Sequence, residues 1–271
     1  MTDTPFAGQP HEVPAYDTVR WTGRTSDACV VIPVINEGDR IARLLARMKA
    51  IGVAGIADIV IVDGGSKDGS LDTDKLEAGK VAGLLVKRGP GKLSSQLRCA
   101  YDFVLQQGYE QIVTIDGNDK DRPEPIATFI QAIKDGADFV QASRFVKGGI
   151  AENTPFKRLV AIRMVHAPLL SIASGFRWTD TTQGFRAYSR RLLTDPRVAI
   201  FRDTFRDYEL LAYLSYRAPK LGFKCVELPT ERLYPAGEKI PTKISFKGEF
   251  VVLDTLFKAC RGGFDPQSSK A

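Results

Sequence analysis

Asp63-Gly-Gly-Ser-Lys-Asp-Gly-Ser70 and Asp116-Gly-Asn-Asp-Lys-Asp121 each directly follow an apolar, β-branched run, Ile59-Val-Ile-Val62 and Gln111-Ile-Val-Thr-Ile115. Runs of this kind that end in Asp and Gly read as buried parallel strands carrying an acidic residue at the carboxyl end. In an open α/β sheet that edge is where ligands bind. Two carboxylates delivered to one edge, the second beside further oxygen ligands, suit a divalent cation and an anionic nucleotide. A phosphorylated donor such as a nucleotide sugar is the first expectation.

Outward from these stretches, residues 28–34 form a first buried strand, and Ile41, Leu44, Leu45 and Met48 fall at helical spacing. The pattern predicts a short strand near 84–86, a helix over 93–105 and a fifth strand over 138–142. Between the last two lies a helix opened by Pro123 and Pro125, with Ile126, Phe129, Ile130 and Ile133 on one face. Alternation of strand and helix through this half implies a mostly parallel, doubly wound sheet. Beyond it the reading gives helices over 157–174 and 208–217, strands over 184–189 and 225–228, and a Gly/Pro-rich loop over 234–241. The chain divides accordingly. Residues 1–26, polar and with three prolines, are an extension draped over the domain. Residues 27–143 are the donor-binding half, 144–245 the acceptor half, and 246–271 a C-terminal helix and tail.

The 271-residue chain is 44% hydrophobic, enough for a substantial core, and its net charge of +6 is spread without a block of like charges. That excess is compatible with anionic substrates or an anionic membrane face, but no nucleic-acid-binding signature accompanies it, so nucleic acid is not an expected partner. Cys29, Cys99, Cys225 and Cys260 lie far apart and read as small core residues. The two histidines, His11 and His166, are too few for a His-based triad or metal site. The start of the chain lacks a secretory pattern, and the longest apolar candidate, 159–176, is interrupted by Arg163, His166, Pro168 and Gly175. A cytoplasmic protein, at most peripheral on the cytoplasmic face of a membrane, is expected.

The candidate site residues follow the strand ends. Pro33, Asn36 and Glu37 are placed to clasp a base and ribose, or to turn the chain into a capped helix. Asp63 is placed to accept a hydrogen bond from a base N–H, with glycines allowing close backbone approach, while Ser66 and Asp68 suit either a ligand or a helix cap. The loop matches neither the dinucleotide fingerprint nor the P-loop. Asp116 and Asn118 point the same way along an extended segment and suit a hard cation, with Gly117 leaving room for a sugar. An Asx turn is the plainer reading. Arg144, Asp180 and Arg186 fall at the same edge, as ligand groups or as ion pairs.

In this order these pieces resemble the family-2 glycosyltransferases of GT-A fold, particularly the dolichyl-phosphate-mannose synthase-like branch. The matching stretches are 31–37, 63–70, 116–124, Ser143-Arg144 with Gly148-Gly149, Asp180 with Gly184-Phe-Arg186, Tyr208-Glu209, and Arg232 with Gly237 and Thr242-Lys243. The resemblance implies an α/β fold with a Rossmann-like, mostly parallel sheet flanked by helices, one domain of two abutting halves. It implies inverting transfer of a sugar from a nucleotide-diphosphate sugar, UDP favoured over GDP, to a polyprenyl phosphate. Pro33, Asn36, Glu37, Asp63, Ser66, Lys92, Asp116 and Gly117 then bind the donor, and Asp116 and Asn118 hold Mg²⁺ or Mn²⁺. Arg144, Arg186, Arg232 and Lys243 bind the acceptor phosphate. Arg144, Asp180 and Glu209 are the catalytic candidates, with Asp180 or Glu209 as base for a hydroxyl acceptor.

The chain departs from the branch in three ways. Asn118 stands where a second metal carboxylate is usual, and Lys120 where Gln is frequent, leaving Asp119 or Asp121 to make up the charge. The loop from Arg232 to Lys243 is lengthened, and the membrane spans of some relatives are missing. Transfer to a soluble sugar or sugar phosphate, with either stereochemistry, is the alternative, and a non-catalytic nucleotide-sugar-binding module is the reading from another class. Peripheral membrane contact is expected through the stripe Phe246, Phe250, Val251, Leu253, Leu256 and Phe257, flanked by Lys243, Lys247 and Lys258. Packing of that helix on the domain is its alternative.

Overall fold

The apolar runs become the centre of one eight-stranded sheet in the computed structural model, which describes Phe6 and residues 10–234 and 246–266, with helix backbone alone over 246–250. Strands β2 (Ala28–Val34), β3 (Asp58–Asp63), β4 (Val81–Lys87) and β5 (Gln111–Thr114) are parallel, in the order β4-β3-β2-β5. Every residue of β2 and β3 is buried, because helices cover both faces of a parallel sheet. One face carries α1 (Asp39–Ala50), α2 (Thr73–Ala78) and α4 (Ile126–Lys134), whose Leu44, Met48, Leu76 and Phe129 meet Val30, Ile32 and Ile61. The other carries α3 (Leu93–Gln106), with Leu97 and Tyr101 over Val31 and Val60. The connection reverses direction between β2 and β5, so their carboxyl ends flank the switch point at which such sheets bind ligands.

The sheet continues through the second half without a break. β6 (Phe139–Ser143) and β9 (Cys225–Pro229) are parallel to each other, and β8 (Arg186–Ser189) runs antiparallel between β5 and β6. Because β8 is reversed, the segment entering it, 179–185, lies at the ligand edge. The long helix expected over 157–174 is α5 (Phe156–Ala161), a π-helical turn (Ile162–His166) and α6 (Ala167–Ser174). After α7 (Arg190–Thr194) comes α8 (Glu209–Lys220), which packs with α6 on the same face as α3.

Three expectations are revised. Residues 1–26 are not merely draped over the domain: β1 (Tyr16–Trp21) is the antiparallel edge strand beside β4, Trp21 meets Phe103 edge-to-face, and Phe6 is buried. An edge strand with no buried residue has no apolar run to betray it. A second, two-stranded sheet pairs β7 (Ile150–Glu152) with β10 (Glu231–Leu233), each too short to show a pattern. Finally, α9 (Phe246–Cys260) packs against α6 and α8, with Leu256 and Ala259 in the core, so its described side chains favour packing over a membrane face. Burying a leucine in this way contributes about 1.5–3 kcal/mol.

Candidate active site

The carboxyl ends of β2 and β3 are stitched together by the residues expected to hold a nucleoside. Asp63 accepts from both the backbone N–H (2.9 Å) and the Oγ–H (2.6 Å) of Ser66, whose Oγ accepts from the Asn36 N–H at 2.9 Å. The Asn36 Oδ1 accepts from the Lys67 N–H, and Gln96 Nε2 donates to the carbonyls of Val34 and Val62. Asn36 holds the left-handed region at φ 48°, a conformation that Asn tolerates better than most residues. Glu37 is buried beside Arg40, its Oε2 accepting from the Arg40 Nε at 2.9 Å. Pro33 lies inside β2, in register with Val62. The two loops therefore form one preorganised rim.

Beyond β5, Asp116 is the least enclosed carboxylate of its loop, with a side chain 22% exposed. Asn118 sits beside it, its Oδ1 accepting from the Lys120 N–H at 3.2 Å. Gly117 does not leave room for a sugar: a Cβ there would lie 2.9 Å from Val34 Cγ2 and 3.2 Å from the Pro33 carbonyl, so glycine lets two strand ends approach. Gly184, entering β8, touches Asp116 itself, where a Cβ would fall 2.1 Å from Oδ1. Asp119 does not make up the missing charge, because it pairs with Arg43 and Arg47 of α1 at 3.2 and 3.4 Å. Asp121 is fully buried and paired with Arg232, whose Nη2 also lies 3.5 Å from Asp116 Oδ2. β10 is brought there by backbone bonds from Leu233 N–H to the Lys120 carbonyl and from Arg122 N–H to the Glu231 carbonyl.

Arg144 and Asp180 form a fully buried bidentate pair, Nε to Oδ2 at 2.7 Å and Nη2 to Oδ1 at 3.1 Å. Burial alone would raise the Asp180 carboxyl, but the Arg144 guanidinium and Gln183 outweigh it and hold it below the ordinary carboxylate value. A carboxylate so held is a poor proton acceptor, and the base role expected for Asp180 gives way to an orienting one. Arg186 is corrected as well. It is fully buried and donates to the carbonyls of Gln183, Thr181 and Leu211, so it braces the 181–185 segment rather than facing a phosphate. Lys92 and Glu209 belong to another group. Lys92 pairs with Asp207 at 2.9 Å, and Glu209 accepts from the Asp207 N–H at 2.7 Å. No hydrogen bond or ion pair among the described residues joins them to Asp116. Lys243 lies outside the described residues.

Two residues the sequence reading missed complete the cluster. The Tyr234 ring has Lys120 Nζ 5.0 Å, Arg232 5.9 Å and Arg158 6.0 Å from its centroid. Burial alone would raise the Tyr234 phenol, yet Arg232 and Arg158 overcome it and lower it. Arg158 has no local signal, since nothing in the sequence separates it from its neighbours Lys157 and Arg163. Lys120, Arg144, Arg158 and Arg232 thus face Asp116, Asp121 and Asp180, four cations against three carboxylates. Among the described residues, Arg144 Nη1 is buried without a hydrogen-bond partner, as is Asp121 Oδ1, while the Tyr234 hydroxyl interacts with the Arg232 guanidinium. Unpaired buried donors cost about 1–3 kcal/mol each, and more when charged, so such a cluster is built to receive acceptor oxygens.

No group of three or more His, Cys, Asp or Glu side chains among the described residues is arranged to hold a metal ion. Asp116 with the Asn118 amide nevertheless fits a magnesium-class cation, which takes one or two carboxylates and completes its shell with waters and substrate phosphates.

Comparison with known proteins agrees with this geometry. The sequence profile of glycosyl transferase family 2 matches residues 29–195. The polyprenol monophosphomannose synthase of Mycolicibacterium smegmatis is 29% identical, over 79% of this chain and 80% of that one. The dolichyl-phosphate hexose transferase of Haloferax volcanii is 31% identical, over 86% and 94%. Glucosyl-3-phosphoglycerate synthase of Mycobacterium tuberculosis, solved with Mn²⁺, UDP and glucosyl-3-phosphoglycerate, superposes with a TM-score of 0.58. That match covers 96% of this chain and 90% of that one at 17% identity, and shows a shared fold.

Proposed function

We propose a specific reaction for this chain, which belongs to glycosyl transferase family 2 and is a glycosyltransferase: inverting transfer of one sugar from a nucleotide-diphosphate sugar to a polyprenyl phosphate. The observation that carries it is the unpaired buried Nη1 of Arg144, beside Arg232 and Tyr234, with Asp180 clamped by Arg144 and Asp121 paired with Arg232. A hydroxyl acceptor needs a base to take its proton. Asp180 is clamped by Arg144, Asp121 by Arg232, and Glu227 accepts from the N–H groups of Thr179 and Asp180. A phosphate acceptor is already ionised near neutrality and needs no base, only cations to hold it. Relatives named for polyprenol and dolichyl phosphates support the same acceptor class.

In this reading Asn36, Glu37, Asp63 and Ser66 hold the nucleoside, with UDP favoured over GDP, and Asp116 and Asn118 face the diphosphate. Arg144, oriented by Asp180, and Arg232 hold the acceptor phosphate, with Lys243 expected to join them. A divalent cation bound at Asp116 would neutralise charge on the departing nucleotide diphosphate. Arg232 spans Asp121 and Asp116, and so keeps the donor and acceptor ends in one register. The reaction is placed at the cytoplasmic face of a membrane.

An acceptor panel tests this. Labelled sugar from a UDP-hexose should pass to a prenyl phosphate, and not to the matching prenol or to soluble sugars. Asp116→Asn or excess EDTA should cut the rate by at least about a hundredfold, the scale of one lost electrostatic contact to the transition state. Equal transfer to the prenol, or undiminished turnover in EDTA, would sink the reading.

A further inference from the structure

Helix α1 carries a ladder of cations along one side. Arg40, Arg43 and Arg47 stand at helical spacing, beside the buried row Ile41, Leu44, Leu45 and Met48. The first rung closes on the nucleoside rim, where Arg40 Nε donates to Glu37 Oε2 at 2.9 Å. The other two leave that rim. Arg43 Nε and Arg47 Nη2 both donate to Asp119 Oδ2, at 3.2 and 3.4 Å, across 76 and 72 residues. Asp119 follows Asn118 in the turn that also carries Asp116. Its side chain is 5% exposed, and its Oδ1 is buried without a hydrogen-bond partner among the described residues. Its backbone holds the left-handed region at φ 56°. A buried acceptor without a donor and a left-handed residue other than glycine each cost stability. Glycine would make the same turn more cheaply, so the carboxylate is present for its charge. Its conformation also reaches Asn118, whose Oδ1 accepts from the Lys120 N–H at 3.2 Å and whose Nδ2 lies 3.5 Å from Asp116 Oδ2. That N–H belongs to the peptide that follows Asp119. The dihedral angles of Asp119 therefore aim it, and with it the Asn118 amide.

We infer that Asp119 is a positioning residue for the divalent cation: clamped between Arg43 and Arg47, it ties the Asp116–Asn118 turn to α1 and sets both oxygen ligands in place before the metal arrives. The inference rests on the reading of Asp116 and Asn118 as the residues that hold the cation. Asp119 acts through these neighbours, since its own Oδ2 is taken by two guanidiniums. Helix α1 suits the purpose. Its apolar row is locked in the core, so the arginines project from a rigid element. Two of them on one oxygen restrain the carboxylate in two directions, where a single ion pair would let it pivot. The same helix starts at Asp39, directly after Asn36-Glu37-Gly38, so the nucleoside rim and the cation turn share one reference. A site with one carboxylate and one neutral amide gains most from such support, because each ligand already in position spares the cation part of the cost of ordering it.

The test is calorimetric titration of the full chain with UDP, once in Mn²⁺ and once in excess EDTA. The ratio of the two affinities reads the metal's share, and wild type should bind more tightly in Mn²⁺. Asp119→Asn keeps a side chain that tolerates the left-handed turn and removes the charge. It should shrink the ratio about tenfold or more, the scale of losing a group that orients a metal ligand. Affinity in EDTA should stay within about twofold and the thermal midpoint should fall by only a few degrees, because the released arginines already face water. Arg43 and Arg47 are 48% and 34% exposed. The double variant Arg43→Ala, Arg47→Ala should reproduce the loss, and adding Asp119→Asn to it should lower the ratio little further. A wild-type ratio that these variants leave untouched overturns the clamp alone. So does an equal loss of affinity in EDTA together with a collapsed midpoint, since Asp119 would then be structural only. If wild type itself binds UDP no better in Mn²⁺ than in EDTA, the cation reading of Asp116 and Asn118 falls, and the inference with it.

Discussion

Gly184→Ala is the most pointed perturbation of this site, because it adds one methyl group and no charge. The new Cβ would stand 2.1 Å from Asp116 Oδ1, 2.8 Å from its Cγ and 3.2 Å from Oδ2. Carbon–oxygen contacts settle at about 3.3 Å or more, so the Asp116 carboxylate must retreat by roughly 1 Å. Gly184 does not occupy the left-handed region, so alanine fits its backbone. Turning a short side chain off its rotamer costs about 0.5–1.5 kcal/mol, a modest loss for the fold. The same displacement at a reacting centre costs on the order of a hundredfold in rate. Steady-state transfer with a UDP-hexose and a prenyl phosphate should therefore fall about a hundredfold while the thermal midpoint shifts by only a few degrees. Adding Asp116→Ala to the variant should then lower the rate little further, since both changes remove one positioned carboxylate. Turnover within about threefold of wild type would refute the argument, because a 1 Å shift of a working carboxylate costs far more.

Asp180→Asn leaves the Arg144 guanidinium buried without its counter-charge and should destabilise the fold by about 3–5 kcal/mol, read from urea melts. An unchanged midpoint would show that the pair adds nothing to stability. Asp58 provides a pH test remote from the site: burial alone would raise its carboxyl, but Thr25 and Tyr109 hydroxyls and the N–H groups of Thr25 and Ser26 hold it below the ordinary value. A depressed folded value means the stabilisation is complete above the unfolded value of about 3.9 and is lost as pH falls through the folded one. The stability gap between wild type and Asp58→Asn should be widest near neutrality and narrow below about pH 4, and a gap independent of pH would refute the assignment.

The consequences for chemistry come from pairing. Had Asp180 been open to solvent, a hydroxyl acceptor would have had its base, and the soluble-acceptor alternative would have gained weight. The bidentate clamp by Arg144 turns that carboxylate into a support for a guanidinium whose remaining nitrogen is unpaired. One buried ion pair thus shifts the reading from proton transfer to anion binding.

The sequence by itself determined the central sheet and its ligand edge. Runs such as Ile59-Val-Ile-Val62 followed by Asp-Gly carry both the strand and the place where it stops, because β-branched residues fill a two-sided sheet and glycine breaks it. The positions of Asp63 and Asp116 follow from that local chemistry alone. Only the tertiary structure decided which charges remain available. Arg144 meets Asp180 across 36 residues and Arg232 meets Asp121 across 111, while Asp119 turns to α1 and Arg186 to backbone carbonyls. The same holds for the helices. The stripe of α9 reads either as a membrane contact or as packing on the domain, and only the fold places Leu256 in the core, while it leaves Phe156 and Ile172 of the 156–174 segment exposed. Backbone preference is set by neighbours in the chain. Pairing and exposure are set by whatever the fold brings within a few ångströms, and no local pattern encodes that.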